Sequence, residues 1–152
     1  ELGCPAEHET YADHEMNLPT MSINYQRLFA GQRFVRHEAK TASWGKWRID
    51  GYECRDSGVG AATSGLAGVR VVRPRDGSTV ESSSHIAEFV FFFVLKGSLT
   101  LELTGRGLEQ FKRGDSVVLP SNFSYSLVES TKDLELLEVT LPDIVGMCSL
   151  GI

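Results

Sequence analysis

His85 and Tyr125, each one of four of its kind, are of types that could pass a proton near neutral pH. An imidazole titrates near pKa ~6.5 and accepts a proton, and a phenol can donate one. They lie far apart in sequence, so only a fold can bring them together. No Asp stands beside His85 to orient its ring. The cysteines, Cys4, Cys54 and Cys148, are odd in number and irregular in spacing. That argues against a disulfide framework and a zinc finger, and free thiols lead us to expect a reducing, cytoplasmic setting. Cys4, His8 and His14 match no structural zinc spacing. Glu135 and Glu138 have opposite parity on one predicted strand, so they cannot form an acid/base pair on one face. There is no Gly-x-Ser-x-Gly elbow for a nucleophilic serine. The loop with Gly58, Gly60, Gly65 and Gly68 lacks a phosphate-binding pattern, and no helix is expected after it.

Whatever chemistry there is must be positioned by one domain of 152 residues, enough to bury a sizeable core. Hydrophobic residues are 41% and charged residues 23%, which excludes a disordered, collagenous or coiled-coil chain. The longest apolar run is Phe89 to Leu95, far short of the ~20 residues of a membrane helix, so no membrane partner is expected. The net charge of −5 disfavours nucleic acid. Arg70, Arg73 and Arg75 read as a solvated strand edge, and Trp44 and Trp47 as an apolar cover or a dimer contact.

Residues 1–20 read as an irregular leader with no visible signal peptide. The first residue is Glu, and Met21 is a possible alternative start. Residues 22–30 are expected to make one or two helical turns, with Ser22 as N-cap and Gly31 as the stop. A single domain is then expected over 21–152, with its β core at about 45–141. Short apolar runs alternate there with turn residues: Lys46–Ile49, Gly68–Val72, Phe89–Leu95, Ser98–Leu103, Leu108–Phe111, Ser116–Leu119, Tyr125–Val128 and Leu134–Val139. Turn signals include Asp76-Gly77, Lys96-Gly97, Gly105-Arg106-Gly107, Gly114-Asp115 and Pro120-Ser121-Asn122. Many short strands with no helical period between them mean an all-β sandwich or barrel.

Two segments carry a more specific signal. One is Gly77, His85 and Gly97 with the strand Phe89–Leu95 between them; the other is Gly114-Asp-Ser-Val-Val-Leu-Pro120-Ser-Asn122 followed by Tyr125. Their glycine, proline and histidine framework over about residues 66–141 resembles the two motifs of the cupin superfamily, G(X)5HXH(X)3–4E(X)6G and G(X)5PXG(X)2H(X)3N. The resemblance implies a double-stranded β-helix (jelly-roll) barrel. It also marks where this chain departs. The first motif histidine falls on Ser83, the glutamate on Val90 and the second-motif histidine on Tyr125; only His85 remains. Asn122 replaces a glycine that it can imitate in a left-handed turn. By the resemblance, a cupin metal is held by three histidines and a carboxylate, so no metal cofactor is expected here; if any residue bound one, it would be His85. Glu88 lies at the wrong parity to help.

If residue 90 keeps the family's inward orientation, Val90, Phe92 and Val94 face the barrel interior, and Phe89, Phe91, Phe93 and Leu95 face out. A strand apolar on both faces must be covered on both. The expected outer cover is a second subunit, giving a homodimer, or residues 22–50 of the same chain. The expected ligand site is Ser83, His85, Asn122 and Tyr125 over a floor of Val90, Phe92 and Val94. The expected function is metal-free binding of a small, partly apolar molecule. The alternatives are a metal-independent isomerase or lyase using His85 and Tyr125, as the superfamily's metal-free sugar epimerases use a histidine and a tyrosine, or a weak metalloenzyme with other ligands.

Overall fold

The computed structural model describes residues 26–75 and 82–148. The leader at 1–20, the Met21 start, the Ser22 cap and the Asp76-Gly77 turn lie outside them. Eleven strands occur among the described residues: β1 Gly45–Lys46, β2 Tyr52–Asp56, β3 Gly68–Pro74, β4 Ser82–His85, β5 Phe89–Lys96, β6 Ser98–Leu103, β7 Gly107–Lys112, β8 Ser116–Leu119, β9 Tyr125–Ser130, β10 Glu135–Leu141 and β11 Met147–Cys148. They form a six-stranded sheet, β1-β2-β3-β10-β5-β8, and a five-stranded sheet, β11-β4-β9-β6-β7, with antiparallel pairing throughout. Two such sheets closed over one core make the jelly-roll barrel expected from the strand grammar.

The turn residues act as their chemistry dictates. Gly97 has φ 73° and joins β5 to β6; Gly114 has φ 95° and precedes β8. Asn122, in the glycine place of the second motif, has φ 61°, and its backbone N–H donates to the His85 carbonyl at 2.7 Å. That bond ties the loop before β9 to the end of β4.

β5 alternates as expected. Val90, Phe92 and Val94 are at most 1% exposed, while Phe89, Phe91 and Phe93 are half-buried on the other face. Leu99, Leu101 and Leu103 from β6, Leu127 from β9 and Leu136 from β10 complete the core from both sheets.

Several local expectations fail for identifiable reasons. The described part of 22–30 is not helical. Phe29 and Gln32 bridge across Ala30 and Gly31, whose positive φ values (50° and 80°) suit a two-residue hairpin turn rather than a helix. A one-turn helix, α1 (Val59–Ala62), interrupts the glycine-rich loop. β2 and β4 were hidden by charge and serine, because their pairing comes from neighbours rather than from local apolar runs. The Lys46–Ile49 strand shortens to β1, and the chain then turns Trp47 and Ile49 into the core. β3 is no edge: it pairs with both β2 and β10, and its Arg70 is held in ion pairs.

Candidate functional site

Tyr125 begins β9, and its ring enters the interior, 1% exposed, edge-on to Phe92 at 6.2 Å between centroids. Its phenol oxygen accepts from Arg48 Nη2 at 3.2 Å. Arg48 lies just after β1, between two buried residues, Trp47 and Ile49, and its guanidinium stacks over the Trp47 ring at 4.4 Å. Arg48 Nη1 donates to Glu138 Oε1 in an ion pair, and Trp47 Nε1 donates to Glu138 Oε2 at 3.0 Å. Glu138 is wholly buried on β10 between two other inward residues, Leu136 and Thr140. A buried carboxylate persists only when both oxygens find donors, and here they do. Burial pulls the Arg48 pKa down, but Glu138 and Tyr125 outweigh it and hold the guanidinium above its ordinary value.

His85, at the end of β4, is also wholly buried. Its Nε2 lies 3.0 Å from the Leu119 carbonyl, which can only accept, so Nε2 carries the proton. Nδ1 is sealed from water with no hydrogen-bond partner among the described residues. Burial pushes the imidazole below its ordinary pKa; the Leu119 carbonyl offsets part of this, and Arg48 adds to it. The His85 and Tyr125 rings approach edge-on, with centroids 6.3 Å apart.

The two catalytic candidates are therefore brought together, and Val90, Phe92 and Val94 pack in the core around them. Ser83 pairs with Tyr125 in the β4–β9 register, although nothing is described of its side chain. Asn122 is exposed at its turn and touches the buried group through its backbone bond to the His85 carbonyl. One recess of ≈ 410 Å³ opens between Leu103–Gly107 and Ser124–Ser126, and a second adjoins Arg48. A cavity of ≈ 210 Å³ is lined by Trp47, Arg48, Cys54, Arg70 and Glu138, with Lys46 and Asp143–Val145 around it. Arg70 is fixed there by Asp56 at 3.2 Å, by the Asp143 carboxylate and by the Asp143 carbonyl at 3.2 Å. The Cys54 thiol, 3.8 Å from the Lys46 carbonyl, is pushed up in pKa mainly by burial and so stays protonated.

Sequence reasoning missed Arg48 and Glu138. The available signal was parity: Leu136, Glu138 and Thr140 share the inward face of β10, and an inward carboxylate demands a cation. Glu135 lies on the other face, as parity required.

The residues at the cupin motif positions do not fit a metal ion. Val90 offers no donor atom and the Tyr125 oxygen faces a guanidinium, so His85 Nδ1 is the one free lone pair the described motif side chains offer, and one ligand does not hold a metal ion. Among the described residues, no three His, Cys, Asp or Glu side chains gather as a metal-binding group.

No family model matches the sequence, and no curated protein sequence does either. Solved structures do match. A polyketide cyclase, RemF from Streptomyces resistomycificus, superposes with TM-score 0.62 at 15% identity, over 78% of this chain and 87% of its own. A cupin-superfamily sugar phosphate isomerase from Silicibacter pomeroyi gives TM-score 0.54 at 18% identity, over 70% and 74%. Pac13 from Streptomyces, a nucleoside dehydratase, gives 0.54 at 13%, over 70% and 81%. With the two antiparallel sheets, the glycine turns and the inward His85, these likenesses establish that the chain has the cupin fold.

Proposed function

We propose that the protein binds a small, partly apolar molecule in the cavity beside Arg48 and Glu138, without a metal. The observation that carries this reading is the cavity itself. Its wall joins apolar surface from Trp47, Ile144 and Val145 to a buried, oriented ion pair. A mainly apolar recess with a few fixed polar groups is the usual form of a small-molecule site. The His85 and Tyr125 rings are packed in the core, and Arg48 links Tyr125 to the cavity.

Cys54 supplies the test, because its thiol lines the cavity. The full chain is screened with small aromatic acids, amides and amines. Alkylation of Cys54 is followed by peptide mass spectrometry and thermal stability by fluorimetry. Compounds that raise the melting temperature should slow Cys54 alkylation, and Val145→Trp should abolish both effects. If no compound protects Cys54, or if Val145→Trp leaves protection intact, the reading fails.

One observation favours acid/base chemistry as the second reading. Tyr125 is hydrogen-bonded to a guanidinium and its ring meets the His85 ring edge-on, and the likeness extends to a cyclase, an isomerase and a dehydratase. That reading requires turnover that falls in both Tyr125→Phe and His85→Gln. We also propose that a second copy of the chain covers the outer face of β5. The exposure of residues 26–41 and the inward turn of Trp47 and Ile49 support this reading over a cover by residues 22–50 of the same chain.

A further inference from the structure

Two arginines line the cavity, and their hydrogen bonding differs. A guanidinium has five N–H donors in a planar fork. Arg70 spends its donors on Asp56, the Asp143 carboxylate and the Asp143 carbonyl, reaching them through Nε, Nη1 and Nη2. Arg48 uses one donor on Glu138 and one on Tyr125. Its Nε is sealed from solvent and has no acceptor among the described residues. Three of its five N–H groups therefore lack a described partner. An unfilled donor on a buried cation is costly, and native interiors rarely leave one without a reason. The group is also held in place: Glu138 and Tyr125 fix its edge, and the Trp47 ring fixes its plane. A guanidinium held in this way can donate its remaining Nη hydrogens to a carboxylate oxygen.

We propose that the ligand of this cavity carries a carboxylate, received by the remaining Nη hydrogens of Arg48, with an apolar body against Trp47, Ile144 and Val145. The proposal rests on the cavity reading above and adds the charge of the ligand to it.

The test uses matched pairs on the full chain: benzoate with benzamide and cinnamate with cinnamamide, plus phenyl phosphate. Affinities are measured by calorimetry, and occupancy of the cavity by protection of Cys54. Each acid should bind about 10- to 100-fold more tightly than its amide, as a charge-assisted bond to a fixed guanidinium implies. The preference should vanish in the double variant Arg48→Met/Glu138→Gln, which removes the pair together and leaves no lone buried charge. If that variant does not fold, Arg48→Lys replaces it; losing the planar fork should cut the preference severalfold while the amides still bind. Amides that protect Cys54 as well as their acids do would overturn the carboxylate assignment and leave the cavity reading standing. Phenyl phosphate binding more tightly than benzoate would likewise overturn it. If none of the probes protects Cys54, both proposals fall.

Discussion

Arg48 and Glu138 form the most consequential residue pair in the barrel. Removing one partner of a buried ion pair leaves the other charged and unsolvated, at a typical cost of about 3–5 kcal/mol. Glu138→Ala should therefore lower unfolding free energy by about that amount in urea titrations, and Arg48→Met/Glu138→Gln should cost distinctly less. A single variant no worse than the double would show that the pair does not act as a unit. His85 gives a pH signature. Its folded pKa lies below that of the unfolded chain, near ~6.5, so the unfolded state binds the proton more readily. The stabilisation due to the neutral ring is complete above about pH 6.5 and is lost as the pH falls toward the depressed folded pKa. Urea midpoints of the wild type should drop between about pH 7.5 and pH 5 by more than those of His85→Gln. Equal drops would mean that other groups carry the acid sensitivity. Position 85 could be singled out from sequence because its motif spacing survives. Arg48 could not, because its partners Tyr125 and Glu138 lie on strands distant in sequence.

At the scale of elements, turns fix the registers that aim these side chains. A Cβ at Gly97 would lie 2.9 Å from the Leu134 backbone and closer still to the Thr131 hydroxyl, in addition to the cost of φ 73°. Gly97→Ala should cost at least about 1–2 kcal/mol from the left-handed backbone alone, read as a lower urea midpoint. A neutral result would mean that the β5–β6 turn relaxes freely. These turn glycines were legible in sequence because left-handed geometry is a local property. β2 and β4 were not, since strands rich in Glu, Arg and Ser become strands only by pairing. The short helical expectation before Gly31 failed for the converse reason. Ala30 and Gly31 both take positive φ, and a tight bridge replaces the helical turn.

Over the whole molecule, β5 divides the two apolar faces. Val90, Phe92 and Val94 fill the barrel, while Phe89 and Phe91 stack on the outside and Val118, opposite Phe91, is 51% exposed. If a second copy covers that face, Phe91→Glu should convert a dimer to a monomer in light scattering, with the far-ultraviolet circular dichroism unchanged. A wild type that is monomeric at all concentrations would end the dimer proposal. The β class, the jelly-roll framework of glycines and proline, the inward set on β5 and the lack of a full set of motif metal ligands can all be read from the chain's residues in order. All of these follow from local backbone preference, side-chain parity and residue type. Where the open space lies and which charges meet inside depend on how the folded elements pack. A cavity is what remains between elements after packing. The Arg48–Glu138–Tyr125 group joins three segments that the barrel closes together, and no local pattern records that meeting.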